Sequence, residues 1–352
     1  MKRFIKAFRA EVKRATRWRS YTAVAFVLPA VSLIFFSIYL FDNRIESLPV
    51  AVVDNDNSSL SRVLIEMIDA TQSVEISYKA TDSAEAEALI RQGKAYAAVV
   101  IPQGFERDIL RAEGANVALY NSGINISTAG FIAKDVSTVV ATFGAGIELQ
   151  SGKSIDKIMP VRVAEHNLFN PYINYGYYLA PCFMPMMLMI FTILSTITAI
   201  TEPKPRSKVE LLARITPTTI SMMVYSLVML VVLFHTIGVP LAESSLMIVL
   251  STLLFIVVNQ AVAIFFVAIF KERHTAQSLG GGVAVLSFTL SGLTFPTTAM
   301  YPIFRAASYL FPFTYYIEIV VNQALRGAPA VVTLPKMCML CLFLLLPLCK
   351  RL

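Results

Sequence analysis

The chain has 352 residues, 56% of them hydrophobic and only 15% charged, with a formal net charge of +7. Soluble domains carry about a quarter charged residues, so the composition excludes an ordinary soluble protein and points to the membrane. The surplus of Lys and Arg is no nucleic-acid footprint either, because these residues gather at the ends of apolar runs, as topology requires.

In chain order, Phe4, Ile5, Phe8, Val12 and Ala15 share one helical face, ending near Trp18, while basic residues fill the other faces. That pattern predicts an amphipathic helix over 1–19, lying in the cytoplasmic headgroup layer. The charge-free run Tyr21–Phe41 follows. It predicts a first span at 20–41, too long for a signal-peptide core and without a small-residue cleavage site after it.

The only sizeable polar segment, 42–172, comes next. "LPVAVVD", "VEISY", "AYAAVVI" and "ANVALYN" read as strands, separated by the helical stretches "SLSRVLIEMIDA", "DSAEAEALIRQG" and "GFERDILRAEG". A long helix rich in small residues runs from Ile126 to about Gln150. The alternation predicts an α/β domain. Asp82 and Glu85 are spaced as a capping box. In "VAVVDNDNSSLSRV" the carboxylates of Asp54 and Asp56 suggest a calcium loop, but Ser59 replaces the turn glycine and Ile65 the bidentate glutamate. The better expectation is a strand-to-helix corner, with Asn57 or Ser58 as N-cap and the aspartates at the positive end of the helix that follows. "GIELQSGKS" nearly spells a phosphate-binding loop, but five residues rather than four separate Gly146 from Gly152, and it follows a helix.

From residue 173 onward the charge-free runs are Asn167–Thr201, Ile215–Ala242, Ser244–Phe270 and Thr275–Phe304. Val331–Cys349 is broken only by Lys336, placed to snorkel to the interface. Each run is long enough for the roughly 20 residues that cross a bilayer. Tyr172, Tyr175, Tyr177 and Tyr178 suit an outer aromatic belt. Basic clusters before the first run, at Lys204–Arg214, at Lys271–Arg273 and at Lys350-Arg351, with none at Gly238–Glu243, predict six spans with both termini cytoplasmic. The fold class expected is therefore a polytopic α-helical membrane protein with an extracytoplasmic α/β domain. Pro296, Pro302 and Pro312 interrupt the apolar segment 296–326, which predicts two short helices re-entering the outer leaflet.

Catalytic constellations are not recognisable. His166, His235 and His274 lack zinc spacing. Cys182, Cys338, Cys341 and Cys349 all fall in spans, where packing is the expected role of the Cys338/Cys341 pair. Asn259 and Gln260 are the polar pair inside a span; interhelical hydrogen bonding and contact along a translocation path are equally open for them. Glu318, with Tyr315 nearby in the outer segment, has Arg305 and Arg326 as candidate ion-pair partners. Gly280, Gly281 and Gly282 allow close helix approach, at a dimer seam or on a moving helix.

Three stretches carry a resemblance: "LPVAVVDNDNSSLSRVLIEMIDA", "VELLARITPTT" and "LSGLTFPTTAMYPIFRAASYLFPFTYYIEIVVNQALRG". Together they resemble the permease subunit of bacterial ABC-2 type exporters with a large extracytoplasmic domain between the first two spans. The resemblance implies two permease chains, identical or related, driven by a separate ATPase dimer that holds the ATP and Mg. It implies that this chain itself binds no cofactor and is not an enzyme. It further implies a cytoplasmic coupling helix at 203–216, with Lys208, Glu210, Leu211, Leu212 and Arg214 as ATPase-facing residues and Pro203 and Pro205 stiffening its start. The lead-in "TEPKPRSKVE" departs from the family's usual charged, glycine-containing form. An inner-membrane location, a periplasmic adaptor partner and an amphipathic or hydrophobic cargo are also implied. A non-transporting receptor or assembly factor is the competing reading; an ion-coupled transporter expects intramembrane acids, which the spans lack apart from Glu318.

Overall fold

Alternating apolar strands and amphipathic helices build the first of two units in this computed structural model. The described residues are 2–17, 19–39, 46–111, 115–122, 126–150, 174–201, 204–270, 272–293 and 295–348. Trp18, Phe41, residues 151–154 of the phosphate-loop look-alike, His166, Tyr172, Pro203, Lys271, Cys349 and Lys350-Arg351 lie outside them. One unit is 1–43 with 167–352; the other is 44–166.

The helical unit opens with α1 (Lys2–Arg17) and α2 (Arg19–Thr22), a π-helical turn (Ala23–Val27), and α3 (Leu28–Tyr39). In the α/β unit, β1 (Leu48–Asp54), α4 (Ser59–Asp69), β2 (Val74–Lys79), α5 (Ser83–Arg91) and β3 (Ala97–Ile101) alternate. Then come α6 (Phe105–Leu110), β4 (Ala118–Asn121) and α7 (Ile126–Gln150). The sheet order is β2-β1-β3-β4, with β1 parallel to both neighbours and β4 antiparallel to β3. Because β1 is central, Val50, Ala51, Val52 and Val53 are all buried, facing two different cores. Val50 joins Leu64, Ile68, Ile132, Val136 and Phe143 on one side. On the other side, Ala51 and Val53 pack with Ala80, Ala86 and Ala98. A fully buried Leu64 or Ile68 contributes about 1.5–3 kcal/mol.

The corner after β1 differs from the sequence expectation in one respect. Ser58 is the N-cap of α4, in a reciprocal box with Ser61, and Asp54 accepts from Ser61 Oγ at 2.8 Å. Asp56 takes no backbone amide of the helix that follows. Its carboxylate accepts from the Gly104 and Glu106 amides at 2.7 and 3.0 Å, capping α6 instead. A hydrogen bond from Ser58 and those amides hold the Asp56 carboxyl below its usual range. The Asp82/Glu85 box is likewise altered: Asp82 accepts from the Glu85 amide, but Glu85 reaches past the cap to the Thr81 amide, 2.7 Å away.

The helical unit continues with α8 (Tyr175–Thr201), α9 (Lys208–Val231), a π-helical turn (Val232–Thr236), α10 (Ser245–Phe270) and α11 (Arg273–Thr289). It ends with α12 (Pro302–Ser308), α13 (Pro312–Val320), a π-helical turn (Val321–Arg326) and α14 (Ala330–Leu342), extended by a 3-10 segment (Phe343–Leu348). Among the described residues, five helices are long and apolar enough to cross a membrane: Thr128–Ile147, Gly176–Thr201, Lys208–Thr236, Ser245–Phe270 and Ala330–Leu348. Four of these match expected runs. The first, however, belongs to α7, whose Ile132, Val136 and Phe143 pack into the α/β core.

The expected span over Thr275–Phe304 is not one helix. α11 stops at Thr289 after 17 residues, about 25 Å at 1.5 Å per residue. The left-handed backbone of Gly292 (φ +91°) turns the chain there, and Pro296 and Pro302 prevent the helix from resuming as one piece. The 203–216 segment is not a helix of its own either. Ser207 caps a helix that runs unbroken from Lys208 through Val231. Of the glycine triplet, only Gly280 meets a close neighbour: a Cβ there would lie 2.8 Å from Ile193 Cγ2, so it permits the approach of α11 to α8.

Candidate functional site

The first turn of α9 is built by a cap with a glutamate at its third position. Ser207 Oγ accepts from the Glu210 amide at 3.2 Å. Glu210 Oε2 accepts from the Arg206 amide at 2.9 Å, and its other oxygen takes Arg214 Nη2 at 2.6 Å. The i,i+4 spacing puts Arg214 one turn along, where it is only 8% exposed. Glu210 and Arg214 thus face inward, and Leu211 is half-buried. Lys208, Val209 and Leu212 face outward, the last two at 47% and 56% exposure.

Beyond Arg214, a polar row on α9 meets the N-terminal helices. Thr218 Oγ1 shares a hydrogen bond with Tyr21 Oη at 2.9 Å. Ser221 Oγ donates to the Ala25 carbonyl at 2.7 Å. Tyr225 Oη and Ser32 Oγ are 3.2 Å apart. Ala25 lies in the π-helical turn just before Pro29, a residue with no N–H to offer the preceding carbonyls. Ser221 supplies a donor from the neighbouring helix.

The row reaches α1 as well. Glu11 is the only acid among the first 19 residues and is 3% exposed. Burial raises its carboxyl above the usual range, against the opposing pull of Arg14 and Arg214. Arg14 lies 3.4 Å from the Glu11 carboxylate and stacks over the Tyr21 ring at 6.0 Å. The same guanidinium donates to the Thr198 and Ala199 carbonyls at 3.3 and 3.5 Å, in the last turn of α8. The last turn of a helix is short of intrahelical donors, so a cation there suits both hydrogen bonding and the helix dipole. Gln277 of α11 donates to Thr198 Oγ1 at 2.9 Å. One junction therefore ties together α1, the start of α9, the end of α8 and α11. Sequence reading missed Glu11, Arg14, Tyr21, Ser221 and Val209. The available signal was Glu11, an isolated acid in a basic leader.

The other candidate residues lie elsewhere in the helical unit. Asn259 and Gln260 are buried in α10. Gln260 bonds Thr219 Oγ1 on α9 through both ends of its amide, at 2.9 and 3.1 Å. Asn259 Nδ2 donates to the Phe255 carbonyl of its own helix at 2.8 Å, and its Oδ1 is buried without a hydrogen-bond partner. Glu318 pairs with neither Arg305 nor Arg326. It takes Lys336 Nζ at 2.9 Å, while Arg305 is turned to the Thr297 and Thr298 carbonyls and Arg326 to Asn322 Oδ1. Lys336, expected to reach for the interface, is held by this pair. Tyr315 Oη donates to the Tyr309 carbonyl at 3.0 Å. Gln323, unremarked in the sequence, accepts from the Ser244 amide and donates to Thr333 Oγ1 and the Ala328 carbonyl. Cys338 and Cys341 are exposed rather than packed, and Cys182 is buried. No group of three metal-ligating side chains occurs among the described residues.

Residues 19–349 match the model of the ABC-2 family transporter protein. The probable multidrug ABC transporter permease YbhS of Escherichia coli (strain K12) is 22% identical over 254 residues, covering 68% of this chain and 67% of its own. The same protein from strain O157:H7 matches equally. No solved structure matches. Such a permease is the membrane component of its transporter, works with an ATPase partner, and is not itself the enzyme. Matched along nearly its whole length, the chain belongs to the ABC-2 transporter family.

Proposed function

We propose that the chain is the permease subunit of an ATP-driven exporter in the bacterial inner membrane, moving hydrophobic or amphipathic compounds out of the cytoplasm or inner leaflet. ATP and Mg reside on the partner ATPase dimer, and this chain contributes no cofactor site. Two permease chains, identical or related, form the translocation unit. Both termini are cytoplasmic, the 44–166 unit is extracytoplasmic, and it is the surface that meets a periplasmic adaptor.

The carrying observation is the start of α9. Val209 and Leu212 expose an apolar face beside Lys208, suited to a partner's cleft, while Glu210 and Arg214 lock the same turn to the interior. A push on the outer face is thereby delivered to α1 and, through Arg14, to the end of α8. The continuity of α9 from Lys208 to Val231, with Pro217 inside it, supports transmission along a single helix.

Co-purification of the permease with its cognate ATPase, followed by transport in proteoliposomes, tests this reading. The double substitution Val209→Asp/Leu212→Asp is expected to reduce ATPase retention about tenfold, as loss of an interface anchor does. Unchanged retention and transport would reject the docking turn. A wild-type permease that never retains an ATPase would favour the receptor or assembly role.

A further inference from the structure

An apolar groove of about 340 Å³ opens between α1, the first π-helical turn and α9. Phe8 and Val12 of α1, Phe26 of the π turn, and Pro217, Ile220 and Val224 of α9 form its walls. The volume is at the lower end of the roughly 300–1,000 Å³ typical of small-molecule sites. Two hydroxyls reach the wall, and both are engaged: Thr16 Oγ1 donates to the Val12 and Lys13 carbonyls at 3.2 and 3.1 Å, and Ser221 Oγ to Ala25. With its wall hydroxyls satisfied internally, the groove suits hydrocarbon and offers little to a polar ligand. Beyond it the apolar surface continues, through Val27 and Val31 on one side and Leu227, Val228 and Val231 on the other, all exposed.

The charge around the groove selects among hydrocarbon ligands. Lys6, Arg9, Lys13 and Arg17 recur at three- and four-residue spacing on α1, and all four are exposed. The single acid of that helix, Glu11, is buried and beside Arg14, so no carboxylate on α1 competes for these cations. Each such cation near a membrane surface attracts an anionic lipid by about fivefold.

We propose that the groove holds one acyl chain of an anionic phospholipid, with the headgroup on the Lys6–Arg9–Lys13–Arg17 stripe. The lipid then wedges α1 against α9 at the junction where Arg214 and Thr218 meet the N-terminal helices. This inference rests on α1 lying at a bilayer surface, but not on which surface, nor on the ATPase.

The full chain in nanodiscs, with the same lipid mixture in both leaflets, provides the test. Phosphatidylglycerol and phosphatidylcholine probes carrying a photoreactive acyl chain are crosslinked in parallel and the labelled peptides mapped. The phosphatidylglycerol probe is expected to label 8–26 and 217–224, about tenfold more strongly than the phosphatidylcholine probe. Ile220→Trp/Val224→Trp fills the groove from two exposed positions, and labelling should fall about tenfold. Lys6→Gln/Arg9→Gln/Lys13→Gln/Arg17→Gln should retain the label but lose the preference for phosphatidylglycerol. Equal labelling by both probes in the unsubstituted protein, or unchanged labelling of the filled variant, overturns the proposal. Displacement by a lipophilic cation as effective as by unlabelled phosphatidylglycerol also overturns it, assigning the groove to cargo.

Discussion

Helices α5 and α9 begin with the same local device and end in different situations. Each has a capping side chain that accepts from the amide of a glutamate three residues on, Asp82 for Glu85 and Ser207 for Glu210. In each, that glutamate bypasses the cap and takes the amide one residue earlier, Thr81 or Arg206. At α5 the carboxylate stays exposed, bonded within its own turn. At α9 the second oxygen holds Arg214, which is buried beneath α1 and within electrostatic reach of Glu11. The cap is thus a property of a few residues, whereas the load it carries depends on what packs over it.

Substituting the arginine gives the largest expected separation between the two. Arg214→Ala leaves Glu210 without its cation and buried Glu11 with Arg14 alone, and should cost about 3 kcal/mol, as loss of one member of a buried pair does. Arg91→Ala, at the far end of α5, removes an exposed pair with Glu87 and should cost about 0.5 kcal/mol or less. Thermal unfolding of both variants in nanodiscs measures the contrast, and equal losses would erase it.

The next effect lies along the row leading from Arg214. Ser221→Ala should cost about 1–2 kcal/mol by withdrawing the donor from the Ala25 carbonyl. A Pro29→Ala background restores an N–H to the turn that holds Ala25; if that N–H serves the Ala25 carbonyl, the cost of Ser221→Ala should fall to about 0.5 kcal/mol. A double-mutant cycle on thermal stability reads the coupling. Additive losses would mean that proline and serine are unrelated.

Asp56 extends the comparison to a cap supplied from about 50 positions upstream in sequence. Asp56→Ala should cost about 1 kcal/mol locally, seen as faster hydrogen exchange at Gly104–Leu110 in the full chain. Because the Asp56 carboxyl is held low, its protection of α6 is complete above the ordinary carboxylate range. The protection should be lost as pH falls through the depressed value. Protection unchanged down to that pH would exclude the carboxylate as the cap. The smallest effect belongs to Glu85→Gln, which keeps an acceptor for the Thr81 amide and should leave thermal stability nearly unchanged.

Much of the architecture was legible because it depends on neighbours in sequence. The apolar run Val50–Val53 marked a strand, though not its central place in the sheet, and "SLSRVLIEMIDA" marked the helix α4. Pro302 and Pro312 marked the starts of two short helices, since proline is tolerated in a first turn. Errors arose where composition stood in for packing. The charge-free run 275–304 read as a span although Gly292 and Pro296 break it. At the candidate site, the outward Lys208 and Leu212 were named from sequence, but Val209 and the row Thr218, Ser221, Tyr225 were not. Hydroxyls in an apolar helix carry no sign of what they face.

By itself, then, the sequence determined the membrane class, the position of the α/β unit and the places where helices start, because hydropathy, caps and prolines act within a few residues. Only the tertiary structure decided the partners of the charged and polar groups. Glu318 takes Lys336 rather than Arg305 or Arg326, Asp56 caps α6 rather than α4, and Arg14 closes the end of α8 from about 185 residues away. A buried charge or donor must find a partner wherever the fold brings one, and distance along the chain says nothing about which it will be.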